Sequence, residues 1–143
     1  MSAPRTIAEV LDAARQRLTR LTPQEAQQAS TAAAVVVDIR PAAQRASEGA
    51  LPGALVVERN VLEWRFDPAS DARLHIADHD LAVIILCQEG YTSSLAAVAL
   101  HEVGVWRATD VVGGYAAWRR SGVPLWAGPS TFARTPAGST DLR

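Results

Sequence analysis

Cys87 is the sole cysteine of the chain, and it stands where an apolar run ends and a helix-forming run begins, in LAVIILCQEGYTSSLAAVAL from Leu81 to Leu100. A thiolate is a strong nucleophile, so the residues around this sulfur decide what chemistry it can do. Gln88, Glu89, Gly90, Tyr91, Thr92 and Ser93 follow it. They are too polar and too glycine-punctuated to continue a strand through a core. A short loop of this kind turns several backbone N–H groups toward one centre, and the helix N-terminus beyond it adds positive potential, which favours the thiolate form. A strand–loop–helix with the reactive residue first is a recurring nucleophile geometry, although other chemistry uses it too. A lone cysteine beside Leu and Ile is also what a small buried hydrophobe looks like.

Few other residues invite chemistry. Asp38 and Arg40 sit at the end of a β-branched run, where Asp38 can brace a neighbouring loop and Arg40 can bind an anion. Arg59 and Arg65 flank Trp64 in ERNVLEWRFDP, a stretch suited either to the mouth of a site or to core packing. His75, His79 and His101 show no metal-ligand spacing with Cys87, so no metal is expected. His101 reads as a surface histidine, and Trp106, Trp118 and Trp126 as packing residues.

The elements that must position Cys87 follow from periodicity. The chain has 143 residues, 48% of them hydrophobic, which suits one domain with a substantial core. Thr6–Leu18 carries Ile7, Val10, Leu11, Ala14 and Leu18 at helical spacing and predicts an amphipathic helix with a solvated charged face. Thr22, Pro23 and Glu25 form a capping box that opens a second helix, running to about Thr31. Ala34–Ile39 is continuous and β-branched, as a central strand buried on both faces would be. Ala42–Ser47 predicts a short helix, Glu48–Gly53 a turn, and Ala54–Glu58 a short strand, whereas Asn60–Arg73 reads as irregular. Leu81–Leu86 is the strand into the cysteine loop. Ser93–Val103 is its helix, with Ser93 and Ser94 as caps and Gly104 ending it. Thr109–Val112 gives a last strand and Tyr115–Ser121 a last helix. Alternating strands and helices predict an α/β fold with a central parallel sheet. Three stretches follow: an N-terminal helical extension over residues 1–32, the sheet-forming domain over 33–126, and a Gly/Pro/Ser/Thr-rich flexible tail over 127–143.

Composition excludes several classes. A formal net charge of −1 implies no broad basic surface for nucleic acid. No apolar stretch approaches the roughly 20 residues that span a bilayer, so no membrane partner is expected. Asp12, Arg15 and Arg17 interrupt any signal-peptide core. One cysteine forms no internal disulfide, which favours the cytoplasm.

Four segments together resemble the rhodanese-like sulfurtransferases in their single-domain form. VVVDIRP, Val35–Pro41, resembles the strand ending in Asp-x-Arg. EGALPGA, Glu48–Ala54, resembles the Gly-His-Ile-Pro-Gly-Ala signature, with Ala50 in place of histidine. CQEGYTS resembles the Cys-x-x-Gly-x-x active loop, and VVGGYAAW, Val111–Trp118, the Gly-Gly-x-x-x-Trp helix start. The likeness runs from about Val35 to Leu125 and leaves the two leading helices outside.

The resemblance implies sulfane-sulfur transfer without a cofactor. Cys87 would carry the sulfur as a persulfide between a small donor, thiosulfate or a persulfide, and a thiol, cyanide or partner-protein cysteine as acceptor. The N–H groups of Gln88 to Ser93 would cradle the sulfur or an anionic donor. The Thr92 and Ser93 hydroxyls would donate to the terminal sulfur, cap the helix, or do both. Asp38, Arg40, Arg59 and Trp64 are the candidates for pocket or loop support. Thr92 stands where single-domain members often carry arginine, and Gln88-Glu89 where thiosulfate-preferring loops tend to be basic. Efficient thiosulfate use is therefore not implied. A dual-specificity phosphatase of the same fold requires a loop one residue longer, closed by an arginine six positions after the cysteine. Ser93 occupies that position here. The remaining alternative is a non-catalytic rhodanese-like binding or regulatory module. Oligomeric state is not legible.

Overall fold

The computed structural model describes residues 3–125. Trp126 and the expected tail over 127–143 lie outside the described residues.

Helix α1 spans Ile7–Gln16 and α2 spans Pro23–Thr31. Both open on the same device. The Thr6 and Thr22 hydroxyls accept from the backbone N–H groups of Glu9 and Glu25, whose carboxylates accept in return from the threonine N–H groups. Strand β1 is Val35–Asp38, followed by α3, Ala42–Glu48, and a two-residue strand β2, Leu55–Val56. The stretch expected to be irregular instead holds a 3₁₀ turn, Arg59–Val61, and helix α4, Leu62–Phe66. Leu62 and Phe66, one helical turn apart, are both fully buried, and burying that pair outweighs the polar character of the segment. Strand β3, Val83–Leu86, leads to α5, Thr92–His101. Strand β4, Thr109–Asp110, leads to α6, Gly114–Ser121.

The four strands are parallel in the order β2-β1-β3-β4, so β3 is central and covered on both faces. The two-residue alternation of a strand sorts the core into two halves. Val35, Val37, Val83, Ile85 and Cys87 share one half with Leu62 and Phe66 of α4 and Ala96, Ala97 and Leu100 of α5. Val36, Ile84 and Leu86 share the other with Ala26 of α2 and Tyr115 and Trp118 of α6. Cys87 thus continues the alternation of β3 toward the α4/α5 side.

The N-terminal segment is tied to the far sheet edge. Leu21 donates to the Asp110 carbonyl and accepts from the Val112 N–H, and α1 packs on α5. Ile7, expected on the packed face of α1, is exposed, while Ala14 is buried. Trp118 is buried, but Trp106 is two-thirds exposed and stacks on the His79 ring, so it does not pack into the core. His101 is half-buried rather than free at the surface, with Nε2 2.9 Å from the Ala108 carbonyl. Among the described residues no helix is long and apolar enough to cross a membrane.

Candidate active site

The loop after β3 is built by its carbonyl groups. The Tyr115 and Ala116 N–H groups, in the first turn of α6, donate to the carbonyls of Cys87 and Gln88 at 2.8 and 3.0 Å. The Gly90 carbonyl accepts from two guanidinium groups, Arg15 Nη2 at 2.7 Å and Arg20 Nη2 at 2.9 Å. In a trans peptide the C=O and the following N–H point in opposite directions, and no peptide bond here is cis. Turning these three carbonyls outward therefore turns the N–H groups of Gln88, Glu89 and Tyr91 the other way. The Gly90 N–H donates to Cys87 Sγ at 3.2 Å. Cys87 is itself 5% exposed.

Two glycines permit this wrapping. Gly90 has φ +84°, and a Cβ there would lie 2.8 Å from Gly113 N. Gly114 has φ +61°, and a Cβ there would meet the Cys87 carbonyl oxygen and lie 2.7 Å from Gly90 N. The Gly-Gly pair thus lets α6 begin directly beneath the loop, close enough to bond its carbonyls.

Arg40 braces the other side. Its guanidinium donates to Asp38 Oδ2 at 2.7 Å and Oδ1 at 3.0 Å, to the Gly49 carbonyl at 2.9 Å and to Gln88 Oε1 at 3.0 Å. It also lies 4.1 Å from the centre of the Tyr115 ring. Its side chain is fully buried. The expectation that Arg40 binds an anion is corrected, because its charge is compensated by Asp38 and its donors are engaged within the protein.

Asp110, at the end of β4, is the counterpart beneath α5. Its buried carboxylate accepts from Ser93 Oγ and Ser94 Oγ, each at 2.7 Å, and from Arg20 Nε at 2.9 Å. This corrects both roles expected of Ser93. It caps no helix and offers its hydroxyl to no sulfur, because a carboxylate is the stronger acceptor. Helix α5 starts one residue earlier than expected, with Tyr91 at its N-cap and no side-chain cap.

Cys87 opens into a cavity of about 720 Å³ lined by Ile39, Arg40, Pro41, Gln44, Glu58, Arg59, Asn60, Cys87, Gln88, Glu89, Tyr91 and Thr92. The structure therefore brings Cys87, Gln88, Glu89, Tyr91, Thr92, Arg40 and Arg59 to one cavity, with Gly90 behind the sulfur and Asp38 behind Arg40. Arg59 donates to Glu63 at 2.7 Å, so its charge is paired. Glu58, Glu89 and Thr92 are exposed at the mouth. Trp64 is 61% exposed and is not part of the cavity wall, so neither a pocket role nor core packing holds for it. Arg65, its neighbour, is buried and donates to the Ala72 carbonyl.

Sequence reasoning missed Arg15, Arg20, Asp110 and Glu58. Nothing separates Arg15 and Arg20 from Arg5 and Arg17 in the same segment. Asp110 carried a faint signal, since like Asp38 it closes a strand, and a carboxylate there needs partners.

An all-parallel α/β sheet whose central strand delivers a cysteine into a glycine-bearing loop at a helix N-terminus defines the class of protein. The chain belongs to the rhodanese-like domain family, which it matches over residues 22–121. The match takes in α2 and begins after Arg15 and Arg20. A Rhodopseudomonas palustris CGA009 protein, described as of unknown function and a possible tyrosine phosphatase, is similar at 29% identity and TM-score 0.77, over 88% of this chain and 98% of that one. The human single-domain sulfurtransferase TSTD1 shares the fold at 20% identity and TM-score 0.57, over 71% and 94%. A rhodanese-related protein of Thermoplasma volcanium does so at 19% identity and TM-score 0.57, over 76% and 98%. No curated protein matches the chain.

Proposed function

We propose that this protein is a sulfurtransferase that moves sulfane sulfur from a persulfide donor to a thiol or cyanide acceptor, with Cys87 as the carrier. One observation carries the reading. Cys87 Sγ accepts from the Gly90 N–H inside a loop whose carbonyls are bonded outward by α6, Arg15 and Arg20. Such a loop stabilises negative charge on a sulfur at its centre without a cationic side chain of its own.

In the first step the Cys87 thiolate attacks the outer sulfur of the donor R–S–SH. A bond forms between Cys87 Sγ and that sulfur, the donor S–S bond breaks, and R–S⁻ leaves with the electron pair. In the second step the acceptor attacks the outer sulfur of the Cys87 persulfide and the thiolate is restored. The covalent intermediate divides one transfer into two easier displacements.

The cavity favours a persulfide over thiosulfate. Arg40 and Arg59 are paired with Asp38 and Glu63, leaving Glu58 and Glu89 as exposed carboxylates at the mouth. A compact dianion such as thiosulfate meets repulsion there, and a persulfide, whose charged groups lie away from the reacting sulfur, meets less. The same charge pattern weighs against the tyrosine phosphatase reading suggested by the Rhodopseudomonas palustris relative. Phosphoryl transfer needs a forked cation on the loop. Position six after the cysteine is Ser93, whose hydroxyl is engaged by Asp110.

The test is intact mass after brief treatment with glutathione persulfide and then cyanide. One added sulfur on Cys87, released as thiocyanate, supports the reading. Cys87→Ser should fold normally and gain nothing. A full gain in that variant, or no gain by the native chain from glutathione persulfide, thiosulfate or mercaptopyruvate, overturns it in favour of a binding module. The cytoplasm, where thiol persulfides form in a reduced pool, is the compartment this chemistry suits.

A further inference from the structure

The part of the chain ahead of the family match reaches into the cysteine loop. Arg15 lies on α1 and Arg20 in the linker before α2, yet both donate to one acceptor, the Gly90 carbonyl. Arg20 is anchored twice more on Asp110. Its place is set by the backbone around it, where Leu21 bridges to Val111 and the Thr19 carbonyl accepts from Thr109 Oγ1. Arg15 has softer partners. Its Nε donates to Ser94 Oγ at 3.3 Å, and its guanidinium lies 5.6 Å from the centre of the Tyr91 ring.

We propose that Arg15 and Arg20 are positioning residues that act through the Gly90–Tyr91 peptide, so that the N-terminal segment completes the active loop. Two cationic donors on one carbonyl hold that peptide plane, and its N–H, belonging to Tyr91, is thereby directed away from the arginines toward the concave side that holds Cys87. The two residues divide the work. Arg20 compensates the buried Asp110 carboxylate, which would otherwise set an unpaired negative charge under the start of α5 and oppose charge on the sulfur. Arg15 adds a cation whose contacts are a carbonyl, a hydroxyl and an aromatic ring, so its charge is felt by the loop. The other charged groups facing the loop are the Asp38–Arg40 pair on the β1 side, Glu48 against Gln88, Arg59 and Glu58 across the cavity, and Glu89 on the loop itself.

The proposal rests on Cys87 being the sulfur carrier, and its test has one readout that does not. Arg15→Ala, Arg15→Lys and, as a control from the same segment with no contact to the loop, Arg17→Ala are compared with the native protein. Arg17 makes only a 3.8 Å exposed bridge to Glu102 among the salt bridges of the described residues. The readouts are the rate of Cys87 alkylation by iodoacetamide at neutral pH, kcat and KM with glutathione persulfide and cyanide, and Tm. Arg15→Ala should lower kcat about tenfold or more and slow alkylation several-fold, because a misaimed donor weakens charge stabilisation at the sulfur. KM for the donor should stay within about twofold, since Arg15 itself lines no part of the cavity and touches its wall only through the exposed Tyr91 ring. Arg15→Lys, which keeps a charged donor, should recover much of the loss, and Arg17→Ala should change nothing.

Equal kcat and alkylation rates in Arg15→Ala and the native chain would overturn the proposal, as would the same losses in Arg17→Ala. If Arg15→Ala reduces the folded fraction, Arg15→Gln keeps the stem packed and must show the same split. If the native chain transfers no sulfur but alkylation still slows in Arg15→Ala alone, positioning stands and the sulfurtransferase reading falls.

Discussion

Removing the Arg40 guanidinium tests how far the loop depends on buried electrostatics. In Arg40→Met the Asp38 carboxylate, 2% exposed at its side chain, loses its guanidinium contacts and keeps only the backbone N–H of residue 40. The Gly49 carbonyl and Gln88 Oε1 lose their donor as well. Breaking a buried pair from one side costs about 3–5 kcal/mol, because a charge is left desolvated and uncompensated. Against a total stability of about 5–15 kcal/mol that is a large share, and it corresponds to a fall in Tm on the order of 10–20 °C. The assay is urea unfolding followed by tryptophan fluorescence, which Trp118 reports from inside the core. The decisive comparison is with Asp38→Asn/Arg40→Met. Removing the orphaned charge should return about 1–3 kcal/mol of the loss. A loss below about 1 kcal/mol in the single variant, or a double variant no more stable than the single, would refute the assignment of Arg40 as a structural cation held by Asp38.

Other outcomes follow from the same geometry. Glu89→Lys should raise kcat/KM for thiosulfate by about two- to tenfold at low salt, with the gain fading as salt is added; no gain at low salt would mean the carboxylate does not act on the donor. Gly114→Ala should cost about 2–4 kcal/mol, from a left-handed backbone and a Cβ driven against the Cys87 carbonyl, and should slow Cys87 alkylation; a neutral result in both would show that α6 and the loop are free to separate. Bonds from the Thr6 backbone N–H and hydroxyl hold the Glu9 carboxyl below its ordinary value of 4.5. The α1 cap is therefore fully formed above that value and weakens as pH falls through the lowered native one, which amide exchange in the first turn of α1 should follow; unchanged protection down to the acid limit would contradict it.

The legible part of the fold was the part set by local chemistry. Val35–Asp38 and Val83–Leu86 are apolar on both faces and so read as central strands, and Thr22-Pro-Gln-Glu announced its helix through the capping box. Thr6-Ile-Ala-Glu carries the same box, and reading it would have set the start of α1 one residue later than the apolar period alone suggested. Helix α4 was hidden because two apolar residues, Leu62 and Phe66, do the packing inside a polar stretch. The loop was legible as a loop, and Cys87 as its first residue. Which loop side chains face the cavity was not, because that depends on partners far along the chain. Ser93 looked like a helix cap or a hydrogen-bond donor to the terminal sulfur until Asp110, seventeen positions on, accepted the bond from its hydroxyl. Arg40 looked like an anion site until Asp38, Gly49 and Gln88 surrounded it.

Backbone carbonyls anchored from outside, by α6 on one side and by arginines on the other, leave the loop side chains free of any duty to hold the sulfur. That division explains how Gln88-Glu89 can follow Cys87. A cradle made of N–H groups tolerates an acidic neighbour as long as the peptide planes keep their orientation, and within the loop that orientation asks only for Gly90, the rest being kept by Gly114, Arg15 and Arg20. With Cys87 as the proposed sulfur carrier, the exposed positions, Glu58, Glu89 and Thr92, would be the ones to select the donor by charge and shape. Substitutions at the anchors should therefore change rate with every donor alike, and substitutions at the mouth should change the ranking of donors with little effect on alkylation of Cys87.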